Sequence, residues 1–206
     1  MSVTNSMNGK TCLISGASSG IGKITATELA RMGARLVLVC RDRTRGAATV
    51  AEIVEKTGSR GVELMIADLG SQRQIRQLAS DFLARGWPLH VLINNAGLVN
   101  MSRTVTEDGI ETTFAVNHLA YFMLTMLLLE RIKQCAPARI VNVASDAHKF
   151  GSMNFDDLGG EKRYGGFRIY GQSKLANILF TYELARRLEG TRVTANCLHP
   201  GAVSTG

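Results

Sequence analysis

The 206-residue chain is short of several features that would direct a functional reading elsewhere. It has 3 prolines, at positions 88, 137 and 200, and no repeat or low-complexity tract, so nothing marks a linker between two domains. A single domain over residues 1–206 is expected. Tryptophan occurs once and aromatic residues make up 6% of the chain. The basic residues are dispersed, with Arg41, Arg43 and Arg45 the nearest thing to a cluster. A nucleic-acid footprint would gather Lys and Arg on one element, so the net charge of +7 reads as solvated helix faces and no nucleic-acid partner is expected. The four cysteines (Cys12, Cys40, Cys135 and Cys197) form no C-x-x-C pair. They read as small buried hydrophobes in a reducing compartment. The four histidines lack H-x-x-x-H spacing, so no metal site is expected. The first ten residues, MSVTNSMNGK, have neither a basic lead nor an apolar core, so no signal peptide is expected there. The run Tyr121–Leu129 is strongly apolar but far below the roughly 20 residues of a bilayer span. It reads as a buried or subunit-facing helix without a transmembrane role, in a soluble, cytoplasmic protein.

An apolar share of 45% against 20% charged residues suits an ordinary packed domain. Short runs rich in β-branched residues recur at Thr11–Ser15, Arg35–Cys40, Val62–Ala67, Leu89–Asn94, Arg139–Ala144 and Arg192–Leu198. They are apolar throughout, as strands covered on both faces are. Helical stretches near 20–32, 43–57, 71–85, 106–134 and 170–188 separate them. Strict alternation predicts an α/β fold, a doubly wound parallel sheet of the Rossmann type with right-handed crossovers. The segment Asp146–Ile169, rich in Gly, Lys and Asp, reads as a long loop and a substrate-side lid.

In such a sheet ligands bind beyond the carboxyl ends of the strands. All six predicted strands end in polar or glycine-rich residues: Ser15-Gly16, Arg41, Asp68-Leu69, Asn94-Asn95-Ala96-Gly97, Ser145 and His199-Pro200-Gly201. The first is a glycine turn, SGASSGIG, between a strand and a helix. Gly16 permits the tight turn, Gly20 lets backbone amides approach a pyrophosphate, and Gly22 permits close helix–sheet packing. The helix N-terminus that follows favours an anion. Glycine turns after strands are nonetheless frequent. Strand two bears on the choice of dinucleotide. A carboxylate there would hold a ribose 2′-hydroxyl, whereas an arginine accommodates a 2′-phosphate. This chain has Cys40 and then Arg41, so NADP(H) is favoured over NAD(H). Asp42 follows and would have to point away from the ribose.

The reactive group is YGQSK, Tyr170 to Lys174, whose i, i+4 spacing puts phenol and ammonium on one helix face. A free phenol titrates near 10. One cation 4–5 Å away, at an effective dielectric of about 20, supplies roughly 3–4 kcal/mol towards phenolate. By itself Y-x-x-x-K is common on solvated helices; its position after Ser145 and the lid gives it weight. The Ser145 hydroxyl could bond a substrate carbonyl. Asn117, in the apolar run FAVNHLAYF, is either a site residue or a helix-kinking core residue, and Asn94 and Asn95 could be turn formers.

Together these residues resemble the short-chain dehydrogenase/reductase family over essentially the whole chain. The family's T-G-x-x-x-G-x-G is similar to SGASSGIG, with Ser15 in place of threonine; its N-N-A-G matches Asn94–Gly97 and its Y-x-x-x-K matches Tyr170–Lys174. CRD at 40–42, NFDDLGGEKRY and SKLANILFTYELARRL look like the retinol-dehydrogenase-like branch. The resemblance implies an oxidoreductase interconverting an alcohol and a carbonyl, with Asn117, Ser145, Tyr170 and Lys174 as catalytic tetrad. Tyr170 would act as acid/base, Ser145 would orient the substrate oxygen, Lys174 would assist the phenol and hold the nicotinamide ribose, and Asn117 would position a relaying water. Cofactor contacts would come from Gly16, Ser18, Ser19, Gly20, Ile21, Gly22, Arg41, Asp68, Leu69, Asn95, Ala96 and Gly97, and from Tyr170, Lys174, Pro200, Gly201, Val203 and Thr205. It also implies pairing as a homodimer or homotetramer through the long helices. Family members continue past P-G into a substrate-covering segment and a seventh strand. Six strands in the order 3-2-1-4-5-6 are therefore expected, with an exposed sixth. A non-catalytic NADP(H)-binding module, or an inactive fragment without the substrate-covering segment, is the alternative, whereas a sugar-nucleotide epimerase would carry a different glycine spacing.

Overall fold

A computed structural model describes residues 6–201. Six strands, β1 (Thr11–Ser15), β2 (Arg35–Cys40), β3 (Val62–Ile66), β4 (Val91–Asn94), β5 (Ala138–Val143) and β6 (Val193–Leu198), form one parallel sheet in the order β3-β2-β1-β4-β5-β6. Its helices are α1 (Gly20–Arg31), α2 (Arg43–Thr57), α3 (Gln72–Ala84), the short α4 (Thr112–Phe114), α5 (Ala120–Gln134) and α6 (Gly166–Arg187). A π-turn over Ala115–Leu119 joins α4 to α5. Alternate residues of a strand point to opposite faces, and both faces of the inner strands are dry. Leu13, Val37 and Val39 pack with Leu78 and Phe82 of α3 and with Leu124 and Leu128 of α5. Cys12, Ile14, Leu36 and Leu38 pack with Ala26 and Ala30 of α1 and Ile53 of α2. Burying each such Leu or Ile is worth about 1.5–3 kcal/mol, which is why the strands read as unbroken apolar runs.

Several boundaries differ from the periodicity, each for a local reason. β4 begins at Val91, because the His90 imidazole Nδ1 takes the Thr11 N–H at 3.0 Å in place of a ladder carbonyl. β6 begins at Val193 because Arg192 adopts φ 60. The helix expected from residue 106 starts at Thr112. Thr106–Ile110 makes a turn around Gly109 (φ 75), and the buried Glu111 carboxylate then accepts from the N–H groups of Thr113 and Phe114 at 2.9 and 2.7 Å. From Thr112 to Gln134 the helix runs 23 residues, so by length and composition it could cross a bilayer, unlike the run Tyr121–Leu129 alone. Yet 56% of its most apolar window is buried, and it serves as the core helix on one face of the sheet.

The expected loop over 146–169 is shorter. A 3-10 turn occupies Asp146–Phe150, and α6 begins at Gly166. The stretch between is tied down. Gln172 of α6 donates to the Leu158 carbonyl at 2.8 Å and accepts from the Asn154 N–H at 3.1 Å. Tyr164 donates to the Asn100 carbonyl at 2.8 Å, and Arg103 to the Gly159 carbonyl at 3.0 Å. Gly151 lies directly on Gly171, where a Cβ would stand 2.4 Å from a backbone oxygen. This segment is a wall braced on α6.

Candidate active site

Between β1 and α1 the backbone turns with Gly16 at φ 67 and Gly20 at φ 51. A Cβ on Gly16 would stand 2.6 Å from Ala96 Cα, and one on Gly22 would stand 2.3 Å from the Gly16 carbonyl oxygen and 2.5 Å from Asn95 Nδ2. The turn is therefore locked against the loop after β4. Ser15, wholly buried, accepts from the N–H groups of Asn95 and Ala96 at 2.9 and 3.2 Å. Asn95 returns its amide to the Ser15 and Gly16 carbonyls at 2.9 and 3.0 Å. Ser19 begins α1 without capping it through its side chain, so the first-turn N–H groups face the cleft with the positive end of the helix dipole.

The cleft over the carboxyl ends of the strands has a volume of about 580 Å³. Of the residues singled out in the sequence, Gly16, Ser18, Ser19, Gly20, Ile21, Gly22, Arg41, Asp68, Leu69, Asn95, Ala96, Gly97, Ser145, Tyr170, Lys174, Pro200 and Gly201 line it. Val203 and Thr205 lie outside the described residues. Asp42 is spent as the cap of α2, accepting from the Arg45 N–H at 2.8 Å. That leaves Arg41 and, one helical turn on, Arg45 as the cations at the far end of the cleft. Arg45 was not singled out by the strand-end rule; its signal is the basic run 41–45. The hydrophobic floor residues Val39, Leu98, Val99, Val116, Val143 and Ala144 were not singled out either, because nothing distinguishes them from core. Burial pushes the Cys40 thiol up, so it presents a neutral surface there.

At the opposite end stand Ser145, Tyr170 and Lys174. Ser145, two residues beyond β5, accepts from the Ala147 N–H at 3.3 Å and begins the 3-10 turn. Lys174 is 3% exposed and donates to the Val143 carbonyl at 2.9 Å. Its Nζ lies 5.6 Å from the centre of the Tyr170 ring and 5.8 Å from that of Tyr121, so it is walled by aromatic faces. Burial lowers its pKa from 10.5 to about 8. Tyr121 donates to the Ala96 carbonyl at 2.8 Å, and burial raises its phenol well above the usual range, so it stays protonated.

Asn117 does not line the cleft. It stands behind Gly97 in the π-turn, wholly buried. Its Oδ1 accepts from the Leu98 N–H at 2.8 Å, and its Nδ2 donates to the Leu98 carbonyl at 2.9 Å and to Ser173 Oγ at 3.2 Å. The side chain therefore braces the loop after β4. Asn94 is no turn former. It ends β4 wholly inside the fold, donating to Thr125 and Asn142 at 3.0 and 2.8 Å. Asn95 holds the glycine turn.

A sequence profile described as "short chain dehydrogenase" matches residues 10–206. Retinol dehydrogenase 12 of Mus musculus is 52% identical over 195 residues, which cover 95% of this chain and 62% of that protein. Retinol dehydrogenase 14 of Homo sapiens is 50% identical over 212 aligned positions, gaps included, which cover 97% of this chain and 63% of that protein. The chain thus spans less than two thirds of the length of these curated relatives. Among solved structures, the RhlG/NADP active-site complex of Pseudomonas aeruginosa superposes with a TM-score of 0.80 at 26% identity, covering 100% of this chain and 77% of that one. The short-chain dehydrogenase from Sphingobium yanoikuyae in complex with NADPH gives 0.77 at 30% identity, covering 95% and 72%.

Proposed function

Since the chain belongs to the short chain dehydrogenase family, we propose that it is an NADP(H)-dependent oxidoreductase that interconverts a hydrophobic alcohol and its carbonyl. The observation that carries this reading is the cleft itself. One end offers a glycine turn, a helix N-terminus and two arginines; the other offers a serine, a phenol and a buried ammonium.

The residues present fit a phosphorylated dinucleotide. The cradle between Gly16 and Gly22 has no room for a Cβ, and the free N–H groups of α1 suit a pyrophosphate. Arg41 and Arg45 would hold a 2′-phosphate, with Asp42 turned into its helix cap. When bound, the nicotinamide supplies the hydride chemistry. The chain's own part is positioning and proton handling. Tyr170 Oη gives a proton to the carbonyl oxygen in reduction and takes it back in oxidation. Ser145 Oγ orients that oxygen. Lys174, its Nζ 5.6 Å from the centre of the Tyr170 ring, would hold the nicotinamide ribose. Val99 in the cleft, with Met101, Phe150, Phe155 and Phe167 exposed on neighbouring segments, supports an apolar substrate such as a retinoid. The names of the curated relatives support the same class. On the outer side of α5 and α6, Phe122, Met126, Leu179 and Tyr182 are exposed, with the Phe122 and Phe180 rings 5.4 Å apart, and this face supports pairing between copies.

The test combines binding and turnover. NADPH raises the melting temperature of the chain, and NADPH oxidation follows addition of one or more of a panel of aldehydes, ketones and retinal. Tyr170→Phe abolishes turnover and keeps the NADPH-dependent rise. An NADPH effect without turnover on any carbonyl would select a binding module over an enzyme.

A further inference from the structure

Behind the cleft lies a polar cluster for which the hydride chemistry gives no role: the half-buried His118 of the π-turn with the buried Ser173 and Asn177 of α6. Asn177 is wholly buried, and its Nδ2 donates to the Asn117 carbonyl at 2.8 Å. A carbonyl can only accept, so the amide orientation is decided, and Oδ1 must face the His118 ring, 3.0 Å away at Nδ1. His118 Nδ1 therefore carries a proton and donates it. The ring is held between Phe114 and Phe180, with centroids 5.2 and 6.3 Å away. Ser173 gives its own hydrogen to the Tyr170 carbonyl at 2.7 Å and so presents a lone pair to Asn117 Nδ2. Asn117 is thereby gripped by α6 at two points, and it grips both backbone groups of Leu98.

We infer that Asn177, oriented by His118, is a positioning residue. Through Asn117 it sets the loop Asn95–Leu98, one wall of the nicotinamide end, against the face of α6 that carries Tyr170 and Lys174. The inference rests on the reading of that face as the reacting one. Without the His118 donor, Asn177 Oδ1 is left buried and unsatisfied, and the amide gains by turning away from Asn117. The π-turn then loses the partner of a carbonyl on its inner side. Misplacement of about 1 Å in such a shell can cost a hundredfold in rate.

The test uses the full chain with three variants: Asn177→Leu, His118→Phe and His118→Asn. An asparagine amide at 118 can place an N–H near where Nδ1–H stands, so His118→Asn is the conservative rescue. Asn177→Leu and His118→Phe are expected to lower kcat by roughly ten- to a hundredfold while KM for NADPH moves less than about threefold. Both should also speed hydrogen exchange at the Leu98 amide by about tenfold or more, since its acceptor is Asn117 Oδ1. His118→Asn restores both. His118→Phe alters a half-buried ring and stays informative if Asn177→Leu does not fold. Unchanged Leu98 exchange, an unchanged kcat, or a His118→Asn as impaired as His118→Phe would overturn the inference. A wild-type chain that binds NADPH but reduces no carbonyl sinks the enzymatic reading instead. In that case faster Leu98 exchange in the variants still supports the brace, and unchanged exchange still overturns it.

Discussion

Replacing Lys174 by methionine should make the protein more stable and inactive at once. In the protein without cofactor, the ammonium is 3% exposed and donates to one carbonyl, that of Val143. Depression of its pKa from 10.5 to about 8 corresponds to a cost of roughly 3 kcal/mol for the charged form, at about 1.4 kcal/mol per tenfold change in proton affinity. Methionine fills most of the same volume with no charge, and forfeits the bond to Val143, worth about 1 kcal/mol. The net expectation at pH 7 is a gain of about 2 kcal/mol, which for a chain of this size is a rise of roughly 4–8 °C in melting temperature. The sign can be checked through pH. Below pH 8 the lysine is protonated in both folded and unfolded states, and the wild type bears the full cost. Between 8 and 10.5 the unfolded chain binds more protons than the folded one, so wild-type stability rises relative to the variant. Above 10.5 the charge cost is gone and the bond to Val143 remains, so the wild type is ahead by about 1 kcal/mol. Thermal melts followed by circular dichroism from pH 7 to 10.5, without cofactor, measure this directly. If Lys174→Met melts below wild type at pH 7, or the difference does not change across that window, the picture of a desolvated ammonium is wrong.

Arg41→Ala should weaken NADPH by about tenfold and leave NADH nearly unchanged, since the loss is one charge-assisted contact to a phosphate that NADH lacks; equal weakening in cofactor titrations would remove the case for a phosphate site at Arg41. Gly22→Ala should cost about 2 kcal/mol or more, because its Cβ would stand 2.3 Å from a backbone oxygen that cannot step aside. It should also abolish the NADPH-dependent rise in melting temperature; a variant that melts and binds as the wild type does would show the turn to be softer than drawn.

Strand identity and order were legible because burial on both faces leaves an unbroken apolar signature, and because βαβ connections permit few topologies. The lining of the cleft was legible for a related reason: glycines and polar residues gathered at strand ends stand out from the apolar core. Pairings distant in sequence were not legible. Asn94 with Asn142, and Asn142 with Thr181, are 48 and 39 residues apart, and each reads alone as a misplaced polar residue in a strand or helix. Asn117 was singled out, but its surroundings were not legible. Its position in a π-turn points the side chain at Leu98, behind the cleft, and nothing in FAVNHLAYF announces that extra residue per turn. The start of α6 was hidden by Gly165 and Gly166, poor helix formers that read as loop. Gly166 is nonetheless required, since a Cβ there would stand 2.4 Å from the Asn100 carbonyl oxygen.

Gly151 seated on Gly171 has its own mechanical consequence. Two side chains in contact can absorb a displacement by changing rotamer, but two peptide planes in contact cannot. Gly171 is the next residue after Tyr170. A molecule leaning on the 151–165 segment therefore pushes against the helix one peptide from the phenol; on the proposed reading, the seating of a substrate and the aim of Tyr170 are mechanically joined. An alanine at either glycine would wedge that joint apart.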